Sequence, residues 1–114
     1  MKNPTIDGTT YPCTVSLAMK LIGGKWKSVI LYHLKDGEKR YSELKRELDF
    51  ITEMTLSLQH KQLEKDGLIT RTVIGDKPPV KVFYRLTDFG MTVLPVLEAI
   101  NLWGYAAFTY KQGA

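Results

Sequence analysis

The stretch Tyr41–Leu86, YSELKRELDFITEMTLSLQHKQLEKDGLITRTVIGDKPPVKVFYRL, decides the fold. Ser42 is placed to cap a helix whose Tyr41, Leu44 and Leu48 face inward at helical spacing. Asp49-Phe50-Ile51 makes a three-residue turn. Thr52 then caps a longer helix, with Glu53 at its first position, where the helix dipole favours an acid. Leu56 and Leu63 mark the buried stripe of that helix. Asp66-Gly67 closes it, glycine being suited to the left-handed residue after a helix, with Leu68 folding back as the apolar contact. Two alternating runs follow, Ile69–Ile74 and Val80–Leu86, each a strand with one face inward. The joining Gly75-Asp76-Lys77-Pro78-Pro79 is too long for a two-residue turn. Its prolines cannot donate to a ladder, so the tip projects as a stiff finger.

Working outward, residues 1–11 are polar, contain Pro4 and Gly8, and read as a flexible arm. Residues 12–114 read as one domain. Within it lie a helix over 13–22 that Gly23-Gly24 stops, a second helix from Lys25 to Lys35, and a short strand at Lys39-Arg40. The helix pair over 42–66, the hairpin over 69–86 and a long helical region over 88–111 complete it. Thr87-Asp88 caps that last region, and Pro95 kinks or divides it. The fold class is α+β, mainly helical.

At 114 residues and 44% apolar content, the chain is long enough for one ordinary core. Sixteen basic against twelve acidic residues leave a net charge of +4, compatible with a polyanionic partner. The excess is concentrated: Lys20–Glu47 holds eight basic and four acidic residues, and Lys61–Arg85 six and three. From Leu86 onward only Asp88, Glu98 and Lys111 are charged. A single cysteine, Cys13, excludes an internal disulfide framework and fits a reducing, cytoplasmic compartment. The polar first residues make no signal peptide. Met91–Tyr110 has 14 apolar residues of 20, but Pro95, Glu98, Asn101 and Gly104 argue against a membrane span.

Two helices joined by a short turn form a helix-turn-helix, whose second helix can lie in a DNA major groove. Such a helix needs one apolar face to hold it and one polar face with donors for bases and phosphates. At about 100° per residue, Leu56, His60 and Leu63 fall on one side of the second helix. Met54, Thr55, Ser57, Leu58, Lys61 and Lys65 fall on or near the other. Thr52, Thr55 and Ser57 offer hydroxyls, Lys61 and Lys65 offer cations, and Met54 and Leu58 can touch thymine methyls. A helix pair with outward lysines is usually only a solvated surface; the basic finger directly after it favours a winged helix gripping double-stranded DNA. Lys77 and Lys81 are the expected wing contacts, with Arg71 in support, and Lys25, Lys27, Arg40 and Ser42 are candidate phosphate contacts. The alternative is a winged helix that binds protein partners through the same surface.

His60, on the apolar stripe, reads as a satisfied, half-buried histidine rather than a catalytic or metal ligand, and His33 as a surface residue. One cysteine and two histidines without paired spacing make no zinc signature, and no catalytic constellation or cofactor loop stands out. Cys13 has two readings. At a helix start the amide dipoles favour a thiolate that could sense oxidants; alternatively it is a small buried hydrophobe. The last helix is apolar all round and so must be covered all round, which a chain this small cannot do alone. A homodimer is the expected cover, with Val15, Met19, Leu97, Ile100, Trp103, Ala107 and Phe108 as interface residues; the alternative is packing against the first helix alone, which would leave Trp103 or Phe108 exposed. Two-fold pairing also suits half-sites about 34 Å apart.

Several runs resemble the HxlR-type bacterial transcriptional regulators, winged-helix proteins allied to the MarR group. They are Cys13, Leu21-Ile22-Gly23-Gly24-Lys25-Trp26, Arg40-Tyr41-Ser42-Glu43-Leu44, Leu63-Glu64-x-Asp66-Gly67-Leu68-Ile69-x-Arg71, Pro78-Pro79-Val80, Tyr84-x-Leu86-Thr87-x-x-Gly90 and Trp103-Gly104. The resemblance spans about residues 11 to 105. It implies a homodimer joined through its terminal helices, acting on an operator, more often as a repressor. It also implies that Cys13 matches the N-terminal cysteine with which some members sense quinones, aldehydes or oxidants. The chain departs at His60, where leucine is common, and at Leu58, where a polar residue is usual. With no second cysteine, Cys13 could join only its twin or a small thiol, or be alkylated.

Overall fold

In the computed structural model, residues 3–113 are described, and Met1, Lys2 and Ala114 lie outside them. A small hairpin stands where a flexible arm was expected. Strands β1 (Thr5–Ile6) and β2 (Thr9–Thr10) pair antiparallel around Asp7-Gly8. The Tyr11 amide closes the hairpin onto the Pro4 carbonyl at 2.8 Å, and the Thr5 and Thr10 hydroxyls meet at 2.8 Å.

Helix α1 (Thr14–Ile22) ends where Gly23 caps it, the Gly23 amide donating to the Met19 carbonyl. Helix α2 is shorter than its apolar spacing suggests, running Lys27–His33 with Trp26 as its cap, so Lys25 lies in the turn before it. Strand β3 (Lys39–Arg40) leads directly into α3 (Tyr41–Glu47). Ser42 is therefore inside the helix, not its cap. Arg40 holds the cap position, and its amide donates to Glu43 Oε1 at 3.0 Å.

Leu48 and Ile51, both essentially buried, fix the turn into α4 (Glu53–Lys65). Thr52 caps α4 as its sequence position implies, its Oγ1 accepting from the Thr55 amide at 3.2 Å. At the other end Gly67 has a φ of +78°. Its amide reaches the Glu64 carbonyl, and the Leu68 amide reaches the Leu63 carbonyl at 2.9 Å. That pair of bonds satisfies two carbonyls that the helix end would leave open, and turns the chain into the sheet.

Strands β4 (Ile69–Ile74) and β5 (Lys81–Leu86) pair antiparallel from Ile69↔Leu86 to Ile74↔Lys81, and β3 joins the other edge of β5. The far end of the hairpin, residues 75–80, stands exposed beyond this three-stranded sheet. The hairpin's base is tied to the end of α4 by Thr87. Its amide donates to the Leu68 carbonyl, and its hydroxyl donates to the Gly67 carbonyl at 2.6 Å while accepting from the Gly90 amide. Thr87 thereby caps α5 (Asp88–Met91). Gly90 packs so closely on this junction that a Cβ there would overlap the Leu68 carbonyl oxygen.

Of the two outcomes expected at Pro95, the last helical region is divided rather than kinked. The chain breaks at Thr92-Val93, and α6 (Leu94–Gly113) starts just before the proline. There the missing N–H is one that a first turn leaves unpaired anyway. The core gathers Ile30 and Leu31 of α2 with Leu34 just after it, Leu44 of α3 with Leu48 just after it, Leu56 and Leu63 of α4, and Ile69, Tyr84 and Leu86 of the sheet. Leu97 adds the only fully buried residue of α6. The α6 helix otherwise leaves the domain, with Trp103, Tyr105 and Phe108 each more than 60% exposed.

Candidate nucleic-acid interface

The outward ridge of α4 follows from its inward stripe. Leu56, His60 and Leu63 are buried, so residues on the opposite side of a 3.6-residue helix must face solvent. Met54 is 84% exposed and Leu58 52%, and Lys61 and Lys65 are exposed beside them. Leu58 thus stays on the outer face, and α4 is not turned to hide it. Ser57 is exposed on the flank and Thr55 is half-buried.

The two threonines have less free chemistry than their position suggests. Thr52 Oγ1 accepts from the Thr55 amide and its proton goes to Thr55 Oγ1 at 3.0 Å. Thr52 is therefore committed to the cap, while Thr55 keeps its own hydroxyl proton to donate. Ser42 is exposed on the first turn of α3 and Arg40 is half-buried just before it. Lys77 stands exposed at the tip of the hairpin beside Asp76, and Lys81 is exposed at the start of β5. Lys25 lies over the Trp26 ring at 4.9 Å from its centroid, and Lys27 donates to the Lys20 carbonyl at 3.3 Å. Among the described residues no cluster of three metal-ligating side chains occurs.

His60 departs from its expected half-buried, satisfied state. It is 2% exposed, and neither ring nitrogen has a hydrogen-bond partner. The ring stacks on Tyr84 of β5 with centroids 4.1 Å apart and meets the edge of Tyr41 at 6.1 Å. Burial drives its pKa down to about 4, because the charged form loses its hydration. An orphaned polar group of this kind costs about 1–3 kcal/mol. Helical period alone marked His60 as inward; only the packing of Tyr41 and Tyr84 around it reveals the missing partners. His33, by contrast, bonds Glu47 at 2.9 Å on the far side of α3, and Lys39 bonds the same carboxylate.

Cys13 is exposed and occupies the cap position of α1, which removes the buried-hydrophobe reading. Of the expected interface residues, Val15, Met19, Ile100, Trp103 and Phe108 are exposed, and Ala107 is half-buried. Leu97 is the exception. It is 2% exposed inside the protomer's own core, so it has no surface left for a partner.

The pH dependence of stability follows from His60. Unfolded, it titrates near 6.5; folded, near 4. Below pH 6.5 the unfolded state takes up a proton that the folded state refuses, so stability falls as pH falls through that window. The full loss is about 3 kcal/mol. Glu47, whose pKa Lys39 and then His33 hold below its usual 4.5, loses its own contribution only under that pH. His60→Leu is therefore expected to raise the urea midpoint at pH 7 and to flatten its change between pH 7 and 4.5. A variant with the parent's pH profile would contradict this.

Comparison with known proteins agrees with this geometry. The profile of the HxlR-like helix-turn-helix family matches residues 21–112. The uncharacterized HTH-type transcriptional regulator YdeP of Bacillus subtilis is 47% identical over 92 residues, 81% of this chain and 71% of YdeP. The redox regulator HypR in its reduced form superposes with a TM-score of 0.81 at 37% identity, covering 90% of this chain and all of that one. Quinone-bound YodB from B. subtilis superposes at 0.68 with 26% identity, covering 82% of this chain and 97% of that one. Matched over residues 21–112 and 47% identical to YdeP across most of both chains, the chain belongs to the HxlR-like helix-turn-helix family.

Proposed function

We propose that the chain is a sequence-specific transcriptional regulator that binds double-stranded DNA as a homodimer, more often repressing than activating, and that it works by binding rather than catalysis. The observation that carries this reading is the exposed ridge Met54-Leu58-Lys61-Lys65 on α4, with Lys77 projecting on the adjacent hairpin. The α4 helix supplies base-edge contacts through Ser57, Thr55 and Lys61, with thymine methyls meeting Met54 and Leu58. Lys77 and Lys81 take phosphate on the wing; Lys25, Arg40 and Ser42 take it beside the helix pair.

Family membership and the regulator names borne by its relatives support the DNA reading. The exposed apolar side chains Trp103 and Phe108 of α6, with Val15 and Met19 of α1, support dimerisation, since a patch this apolar needs a cover. Asp88–Gly113 is long and apolar enough to cross a membrane by composition. Its helix break, Leu97 seated in the core and Glu98 accepting from Tyr32 at 3.2 Å favour a protein cover instead. The apolar N-terminal half of the α4 ridge, Met54 and Leu58, favours the second reading, a protein-binding winged helix.

Ionic strength separates the two. Neutralised phosphates release counterions, so DNA affinity falls steeply with salt. Lys61→Ala and Lys77→Ala are each expected to weaken duplex binding and to lower the log–log salt slope by about one. Parent-like binding by both variants at two salt concentrations would overturn the contact assignment.

Cys13 is the effector site in this reading. Its exposure at the cap of α1 and the redox and quinone names of HypR and YodB support it. Modification would shift α1 against the dimer interface and change the spacing of the two α4 helices. Diamide or quinone is expected to release the parent from its DNA and to leave Cys13→Ser bound; equal release of both would sink the sensor assignment.

A further inference from the structure

A second stripe of α4 is exposed to solvent and borders the hairpin. Ser57, Lys61 and Glu64 succeed one another along it, with His60 beside them, and Arg71 and its cross-strand neighbour Tyr84 close the other side. These six residues line a cleft of about 360 Å³ between α4 and the β4–β5 hairpin. Glu64 lines the same cleft as Lys61 and Arg71, yet among the described residues neither cation has a carboxylate within 4 Å. One wall is His60, whose two ring nitrogens are buried with no partner. Burial keeps this ring neutral at pH 7, so it brings one donor and one acceptor but no charge. Counting Lys61 and Arg71 against Glu64, the cleft carries one net positive charge. It also offers two hydroxyls, from Ser57 and Tyr84.

We propose that this cleft is a seat for a monoanionic oxyanion, of the phosphodiester or carboxylate class, with Lys61 and Arg71 supplying the charge and Ser57 and Tyr84 the hydroxyl donors. A single net charge matches a monoanion better than a dianion. The guanidinium of Arg71 suits the two oxygens of either group. The oxyanion has two sources, a backbone phosphodiester of bound DNA or a small free carboxylate. Because the seat lies between the reading helix and the wing, its occupant contacts both parts at once.

The test uses the full chain and dimethyl phosphate as probe, followed by imidazole carbon NMR at pH 7. The chain has two histidines, and His33 sits in its own pair with Glu47, which makes it an internal control. The His60 ring signal is expected to move saturably with dimethyl phosphate and not with sodium chloride at equal ionic strength, while His33 stays still. Arg71→Gln on the hairpin and Lys61→Gln on α4 are each expected to weaken that response at least about fivefold, with circular dichroism confirming their fold. Equal drift of both histidines in either salt, or parent-like titration of both variants, would overturn the proposal.

Adding duplex DNA then separates the sources. Loss of the dimethyl phosphate response assigns the seat to a DNA phosphodiester. Persistence of the response beside bound DNA assigns it to a free oxyanion, with acetate expected to reproduce it. The DNA-binding reading fails separately. A chain that responds to dimethyl phosphate and binds no DNA keeps the seat and loses that reading, whereas DNA binding without any His60 response loses only the seat.

Discussion

The inward anchoring of α4 is the constraint on which the rest of the structure depends. Three side chains one turn apart, Leu56, His60 and Leu63, are buried against the core, and each end of the helix is locked by a cap. A helix held on one stripe and at both ends has no freedom to rotate. Its remaining faces are therefore assigned: an outward ridge of Met54, Leu58, Lys61 and Lys65, and an exposed flank of Ser57 and Glu64 that borders the hairpin, with Lys61 between the two. The cap at the C-terminal end does more than stop the helix. Leu68, Thr87 and Gly90 meet there, so the position of the wing is fixed by the same few hydrogen bonds that end α4.

Much of this was legible in the residues because each signal was local. Thr52 ahead of Glu53, Gly67 ahead of an apolar residue, and two alternating runs with prolines between them each carry their own physical reason. The order of helices and strands followed from them. Errors arose where tertiary packing overrode a local preference. Ser42 is a good capping residue, but pairing of β3 with β5 carries the chain into the helix two residues earlier, and Glu43 serves the Arg40 amide instead. Leu97 sits in an apolar run that reads as one uniform surface. Only the packing of α6 on the core separates this inward residue from the outward Trp103 and Phe108.

His60 shows most plainly where sequence stops. Helical period places it inward, and a buried histidine is ordinarily bonded. Which groups surround it is a matter of three elements meeting, and the two rings against it, the face of Tyr84 and the edge-on Tyr41, give its nitrogens no hydrogen-bond partner. The chain keeps a polar ring at a cost at the junction of its reading helix and wing, beside two cations with no carboxylate partner among the described residues. The stretch 5–10 was equally opaque, since a two-residue pairing across Asp7-Gly8 leaves almost no periodic trace.

The claim that α4 and the hairpin together form a DNA-reading surface is tested most directly by mapping backbone amide shifts of the full chain on adding duplex DNA. The account predicts that perturbations concentrate on 52–65 and 75–81 and at Arg40–Ser42, sparing the outer face of α6 over residues 100–110. Perturbations confined to α1 and α6, or none at any DNA concentration under low salt, would contradict it.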